Sequence, residues 1–383
     1  MRVIYLHTNI WGSPSPSSVF VTYYTEALAG AGTETELVVM GGGGDIADVN
    51  GILADYFGLQ PRENWRITVL ASGIRQTHRR RREYYKAVKD LLKLKITTGD
   101  TDVIITRSLS LLPIIMQVRG KLRRPKVFFE SHDFFSSVRH IEIFKGQDWK
   151  NYIRERIFLP QAEGLICLQQ AQMELYREKH IDVPIYHLPS GCREMVLSER
   201  SGGELTLVYV GSLDFHKGIG DLLNLWRGWR AAPRLMIIGG RGEKSICDFK
   251  ERILKYGLAD RIELIPWQRP RVLPEYLKRG DIGLLPLRDT FFNRYLTFPL
   301  KMMDYMSAGL PVIARKLPAT EAVLGHNSDS VLLHKFEREE FIQAVEKIRN
   351  DKDFFDLLKR NIRVKAKEYS WRKRAEKTMG IFK

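Results

Sequence analysis

Short apolar runs rich in β-branched residues recur along this chain between longer stretches of helical period, and the whole series occurs twice. Parallel strands need long crossover connections and are covered on both faces. This alternation therefore specifies parallel sheets flanked by helices. Val3 to Leu6, Glu36 to Met40, Asp102 to Thr106, Lys126 to Glu130 and Gly164 to Leu168 are the strands of the first series. Leu205 to Val210, Arg234 to Ile238, Arg261 to Ile265, Asp281 to Pro286 and Leu310 to Ala314 are those of the second. The polar segment Leu197 to Glu204, with Gly202 and Gly203, suits a hinge between them. The expected fold class is α/β, with two doubly wound, Rossmann-like domains. Residues 1–198 are read as the first domain, 199–365 as the second, and 366–383 as a terminal helix that crosses back onto the first. In that helix region Tyr369 and Trp371 are the candidate packing residues. Ligands of such sheets bind beyond the carboxyl ends of the strands, so a cleft faced by both domains is the expected site.

Composition narrows the class. A length of 383 residues with 44% hydrophobic content is enough for two cores. Met1 to Leu6 is too short for the apolar segment of a signal peptide and reads as a first strand. No run reaches the roughly 18 apolar residues of a membrane span. Cys167, Cys192 and Cys247 lie far apart, which suggests neither a disulfide framework nor a zinc site and fits a cytoplasmic location. The net charge of +16 points to anionic partners: phosphorylated substrates, an acidic membrane surface or nucleic acid.

Two segments of the second half carry chemistry. Leu207 to Leu223, LVYVGSLDFHKGIGDLL, reads as a buried strand, a turn at Gly211, then Lys217 and Gly218 ahead of an amphipathic helix. Free amides at a helix start and a lysine beside them suit an anion; an ordinary strand-to-helix loop with a solvated lysine is the alternative. The segment Thr297-Phe298-Pro299-Leu300-Lys301-Met302-Met303-Asp304-Tyr305-Met306 defines a second helix, with Pro299 placed for its first turn and Gly309 for its end. Lys301 in a first turn is unfavourable unless an anion binds there. Asp304 is placed to accept from the hydroxyls of a ribose, or alternatively forms a surface pair with Lys301.

In this order the two segments resemble the donor site of glycosyltransferase family 4, retaining enzymes of the GT-B fold. The resemblance implies a nucleotide-diphosphate sugar as co-substrate, a glycan or lipid-linked acceptor, retention of anomeric configuration, and neither metal nor other cofactor. Lys217 stands where the family's diphosphate-binding lysine stands, and Asp304 where its ribose-binding glutamate stands. Ser212 replaces an arginine common in the family, and Lys301 is read as its substitute. Leu296, eight positions before Asp304, replaces the first glutamate of the family's motif, so the donor-sugar contact is not carried over. A branch with a Pro-x-Lys and Glu-Tyr-Met helix is the better match, in which Thr297 and the backbone near Phe298 take that place; Pro299 and Leu300 are further donor-binding candidates. Gly239 and Arg241 match the Gly-x-Gly strand end beside the nucleotide, and a simple turn is equally compatible. Pro266 and Trp267 match the loop that reads the nucleobase.

In the first half, VFFESHDF (Val127 to Phe134) ends a strand in titratable residues, and His132 matches the family histidine beside the transferring sugar. Arg107, after another strand, is a second candidate for the acceptor side. The segment NIWGSPSPSS (Asn9 to Ser18) takes the place of the family's glycine-rich loop, with Ser15 and Ser17 as candidate contacts. Arg75 to Lys95 reads as an amphipathic helix whose cations, Arg79, Arg80, Arg81 and Arg82 foremost, suit peripheral docking on an anionic membrane or a plain solvated face. Readings from other classes are a nucleic-acid-binding protein, although no recognisable nucleic-acid module accompanies the charge, another GT-B enzyme such as an epimerase or phosphorylase, and an inactive homologue.

Overall fold

The computed structural model describes residues 1–44, 48–122, 124–136, 146–193, 203–213 and 218–383. Residues 197–202 of the hinge segment, and Lys217, lie outside these. The chain forms two compact units, Met1–Gly191 with Trp371–Lys383, and Cys192–Ser370.

The first unit is built on a parallel sheet of β1 (Arg2–Ile10), β2 (Glu34–Met40), β3 (Trp65–Leu70), β4 (Val103–Thr106), β5 (Lys126–Ser131), β6 (Gly164–Cys167) and β7 (Ile185–His187), in the order β3-β2-β1-β4-β5-β6-β7. The second is built on β8 (Thr206–Gly211), β9 (Arg234–Gly239), β10 (Ile262–Ile265), β11 (Ile282–Leu285), β12 (Val312–Arg315) and β13 (Ser330–Leu333), in the order β10-β9-β8-β11-β12-β13. Each order reverses direction once, between β1 and β4 and between β8 and β11. These are the topological switch points at which crossover loops part and leave a crevice. The ten strands expected from the apolar runs are present with small changes of boundary. Three more occupy sheet edges: β3 is partly exposed, β7 has three residues, and β13 is a buried SVLL run that sequence reading passed over.

The terminal helix Trp371–Phe382 belongs to the first unit and explains an oddity of the helix Pro16–Gly30, which is buried almost all round. A helix with apolar residues on every face needs neighbours on every face. Trp371 supplies one, with its ring 5.1 Å from Phe20 and 6.5 Å from Tyr23, and Tyr24 Oη lies 2.7 Å from Thr378 Oγ1. The divisions therefore fall at Gly191/Cys192 and Ser370/Trp371, somewhat earlier and later than the 198/199 and 365/366 read from the sequence. Arg193 hydrogen bonds to Asp304 and Pro270 in the second unit, whereas a Cβ at Gly191 would lie 2.4 Å from the Trp371 ring in the first. Among the described residues no helix is long and apolar enough to cross a membrane.

Candidate functional site

The switch point of the second sheet gathers most of the donor-side candidates. Gly211 ends β8, and a Cβ there would sit 3.3 Å from the amine of Lys301 and 3.0 Å from the hydroxyl of Tyr209. Lys301 Nζ lies 4.5 Å from the centroid of the Tyr209 ring, a cation–π contact that holds the amine at the carboxyl end of β8. On the other side of the reversal, Gly218 adopts φ +81° with its Cα against the chain leaving β11; a Cβ would come 2.0 Å from the carbonyl oxygen of Pro286. Only glycine satisfies both the left-handed backbone and that approach. Ser212 is exposed beside Gly211.

The helix that carries Lys301 spans Leu300–Ser307. Pro299 is its N-cap, with ψ 110°, and not a first-turn residue, because its carbonyl accepts from Met302 N at 2.9 Å as the helix begins. The first turn has no acidic residue and no side-chain cap. Met302, Met303 and Met306 are buried and seat the helix in the unit. Tyr305 does more: its hydroxyl accepts from Val210 N at 2.8 Å and donates to the Leu284 carbonyl at 3.2 Å, so it bridges β8 and β11 just beyond the residues that pair the two strands. Asp304 is not paired with Lys301. Its Oδ1 accepts from Arg193 at 2.9 Å, and Arg193 also donates to the Pro270 carbonyl at 2.6 Å. Burial raises the Asp304 carboxyl above its ordinary value, and the Arg193 charge opposes the shift. Arg193 was invisible to motif reading, and the role of Tyr305, although it stands in the motif, was too, because their partners lie far away in sequence.

The remaining donor-side candidates line the same strand ends. Gly239 pairs with Gly211 across β9 and β8, and a Cβ would sit 1.7 Å from the Gly211 carbonyl oxygen, so its close approach is to the chain itself. Arg241 lies 5.8 Å from the half-buried ring of Trp267, next to the exposed Pro266. Thr297 Oγ1 donates to Asn293 Oδ1 at 3.1 Å, while Phe298 and Leu296 are buried.

In the first unit, Arg107 follows β4, which borders the other switch point, and His132 follows β5, the next strand. His132 is half-buried, its ring 5.4 Å from Phe20, and its Nε2 is shielded from solvent without a hydrogen-bond partner. Burial, with the charges of Arg107 and Arg374 added, holds its pKa well below the ordinary imidazole value. Arg107 lies 4.9 Å from the same Phe20 ring. Glu130, read with His132 as part of a titratable strand end, is instead fully buried between Arg374 and the hydroxyl of Tyr5; His7, buried on β1 with both ring nitrogens unpartnered, escaped sequence reading. Ser15 and Ser17 bond each other at 2.8 Å, and both accept from Asn9. Of the four consecutive arginines, Arg79, Arg81 and Arg82 are exposed, but Arg80 is buried and donates to the Ile74 carbonyl at 2.8 Å, which removes it from the expected cationic face.

Residues 204–351 match the family model described as Glycosyl transferases group 1. The second unit thus carries a group 1 glycosyl transferase match over its switch-point site. A curated relative, "Putative teichuronic acid biosynthesis glycosyltransferase TuaH" of Bacillus subtilis (strain 168), is 29% identical over 107 residues. That stretch is 27% of this chain and only 25% of the relative. Among solved structures, sucrose-phosphate synthase from Thermosynechococcus elongatus superposes with a TM-score of 0.75 at 16% identity, over 100% of this chain and 98% of that one. HepE of Anabaena, solved in complex with UDP, does so at 0.70 and 12%, over 99% of each chain. The lipopolysaccharide outer core galactosyltransferase WaaB in its apo form gives 0.64 and 15%, over 99% of each. The fold is GT-B, two Rossmann-like parallel-sheet domains.

Proposed function

We propose that this chain transfers a sugar from a nucleotide-diphosphate sugar to an acceptor hydroxyl, with retention, as a family 4 type enzyme. The observation that supports this best is the amine of Lys301 held beside Gly211 at the switch point, inside the segment matched by the family model. In this reading Lys301 and Lys217 neutralise the diphosphate, and the amides around Pro299 and Leu300 add their dipoles. Asp304 keeps Oδ1 on Arg193 and offers Oδ2 to the ribose. Trp267, Pro266, Gly239 and Arg241 border the nucleobase, and Ser212, Thr297 and Phe298 line the diphosphate and sugar.

Chemistry then rests on charge stabilisation and positioning. The bond from the anomeric carbon to the phosphate oxygen breaks as the bond to the acceptor oxygen forms on the same face, and the acceptor's proton passes to the leaving phosphate oxygen. His132, neutral because of its burial, positions the sugar, and no metal is required. Ser15, Ser17 and Arg107 border the acceptor, which we place among glycan or lipid-linked precursors of cell-envelope polysaccharide. A cytoplasmic location, with Arg79, Arg81 and Arg82 resting on an anionic leaflet, completes the proposal; nucleic acid is not a partner. The test is release of nucleoside diphosphate on adding acceptor, with the product's anomeric configuration read by NMR. A thermal-shift screen of nucleotide diphosphates should show stabilisation of about 2.7 kcal/mol at 100 times the dissociation constant. Lys217→Ala and Lys301→Ala should abolish that shift, and an undiminished shift in both would overturn the assignment.

A further inference from the structure

Three strands of the first unit meet around its switch point, and each brings a basic side chain that the rest of the unit leaves unsatisfied. His7 on β1 is 5% exposed, and neither ring nitrogen has a hydrogen-bond partner. Arg107, just past β4, has an Nη1 closed off from solvent and also without a partner. His132, just past β5, has an orphaned Nε2. Buried polar groups in native proteins are nearly always hydrogen-bonded, so several orphans in one place call for a missing partner. The groups are neighbours: the Arg107 charge acts on both imidazoles, and Arg107 and His132 approach one Phe20 ring at 4.9 Å and 5.4 Å.

The charge balance gives the partner's sign. Glu130, the buried carboxylate of this region, is fully committed, one oxygen to Arg374 and the other to Tyr5. Asp133 is exposed; its charge acts on Arg107 from a distance, but among the described residues the two form no ion pair. A guanidinium stays protonated at any ordinary pH, so Arg107 retains a partly buried positive charge that Glu130 and Asp133 offset only from a distance, with no carboxylate bonded to it among the described residues. The imidazoles, held neutral by burial and by that charge, each have one N–H to give and one lone pair to receive.

We propose that Arg107, flanked by His7 and His132, binds a carboxylate or phosphate group carried by the acceptor. This rests on the reading that the first unit takes the acceptor, and it specifies the acceptor's class as anionic. The planar fork of Arg107 suits two oxygens of such a group, and the His7 N–H suits a third oxygen, while His132 at the edge of the group remains the contact to the transferring sugar.

Isothermal titration of the full chain, without nucleotide sugar, tests this with two matched pairs: p-nitrophenyl β-D-glucuronide against the glucoside, and glucose 6-phosphate against glucose. One anion should bind at least ~10-fold tighter than its neutral counterpart, as expected for a charge-assisted contact. Which pair shows the preference decides between carboxylate and phosphate. Arg107→Met should bring that ratio close to one by weakening the anionic ligand most, while Arg107→Lys, which keeps charge without the fork, should retain part of it. The chain's general attraction for anions barely changes in these variants, so a preference that survives both, or no preference in the parent chain, overturns the proposal. Anion preference in a chain that transfers no sugar would remove the transfer reading and keep this site. Transfer to neutral and anionic acceptors at equal rates would do the reverse.

Discussion

The Arg193 guanidinium lies 2.9 Å from the Asp304 carboxylate, and this pair joins the first residues of the second unit to its Lys301 helix. Both side chains are mostly covered, at 13% and 23% exposure, so the pair lies between an exposed and a buried ion pair. A double-mutant cycle with Arg193→Met and Asp304→Asn should give a coupling on the order of 1 kcal/mol in chemical denaturation. Because Asp304 alone is assigned to the ribose, Asp304→Asn should weaken nucleoside diphosphate binding more than Arg193→Met. Equal losses would assign the pair a structural role only.

Tyr305→Phe removes one oxygen and strands two backbone groups, the Val210 N–H and the Leu284 carbonyl. The expected cost is about 1–3 kcal/mol of unfolding free energy. Amide hydrogen exchange should locate the weakening at Val210. Unchanged protection there would mean that water replaces the hydroxyl without loss.

Glu155 offers a pH signature in the first unit. Burial raises its carboxyl to about 7, although Tyr176, Ser136 and the Phe135 N–H all hydrogen bond to it and oppose the shift. The folded chain therefore holds a proton that the unfolded chain loses near the ordinary carboxylate value. Stability contributed by this group is greatest at low pH and is lost as pH rises through about 7. The difference is on the order of 3 kcal/mol, lost between roughly pH 4 and pH 7. Glu155→Gln, which mimics the protonated form, should flatten that part of the curve measured by urea denaturation.

Trp371→Ala should destabilise the first unit by about 3–5 kcal/mol, since the ring fills the space between the helix Pro16–Gly30 and Gly191. Arg374→Met, which leaves the fully buried Glu130 carboxylate without its cation, should cost a similar amount, about 3–5 kcal/mol. Thermal unfolding of each variant checks both. A Tm within about 1 °C of the parent would show that the terminal helix is dispensable to the unit.

Much of the architecture was legible because it rests on local rules. An apolar β-branched run makes a buried strand whatever its neighbours, so ten strands and their parallel arrangement could be read from alternation alone. Edge strands β3 and β7 were missed because partial exposure and shortness remove that signal, whereas the buried SVLL run of β13 was passed over without such a reason. The Lys301 helix was legible from Gly309 at its end and its neighbouring methionines, although Pro299 caps the helix and does not begin it.

By itself the sequence determined the two parallel-sheet domains, the loop-helix elements at the second switch point and the candidate residues Lys301, Asp304, His132 and Arg107. Only the tertiary structure decided what those residues touch. Asp304 meets Arg193, Lys301 meets Tyr209, Arg107 and His132 share the Phe20 ring, and the Arg107 charge reaches His7. The reason is physical: strand and helix periods follow from near neighbours in the chain, whereas ion pairs and orphaned polar groups depend on distant segments brought together by packing.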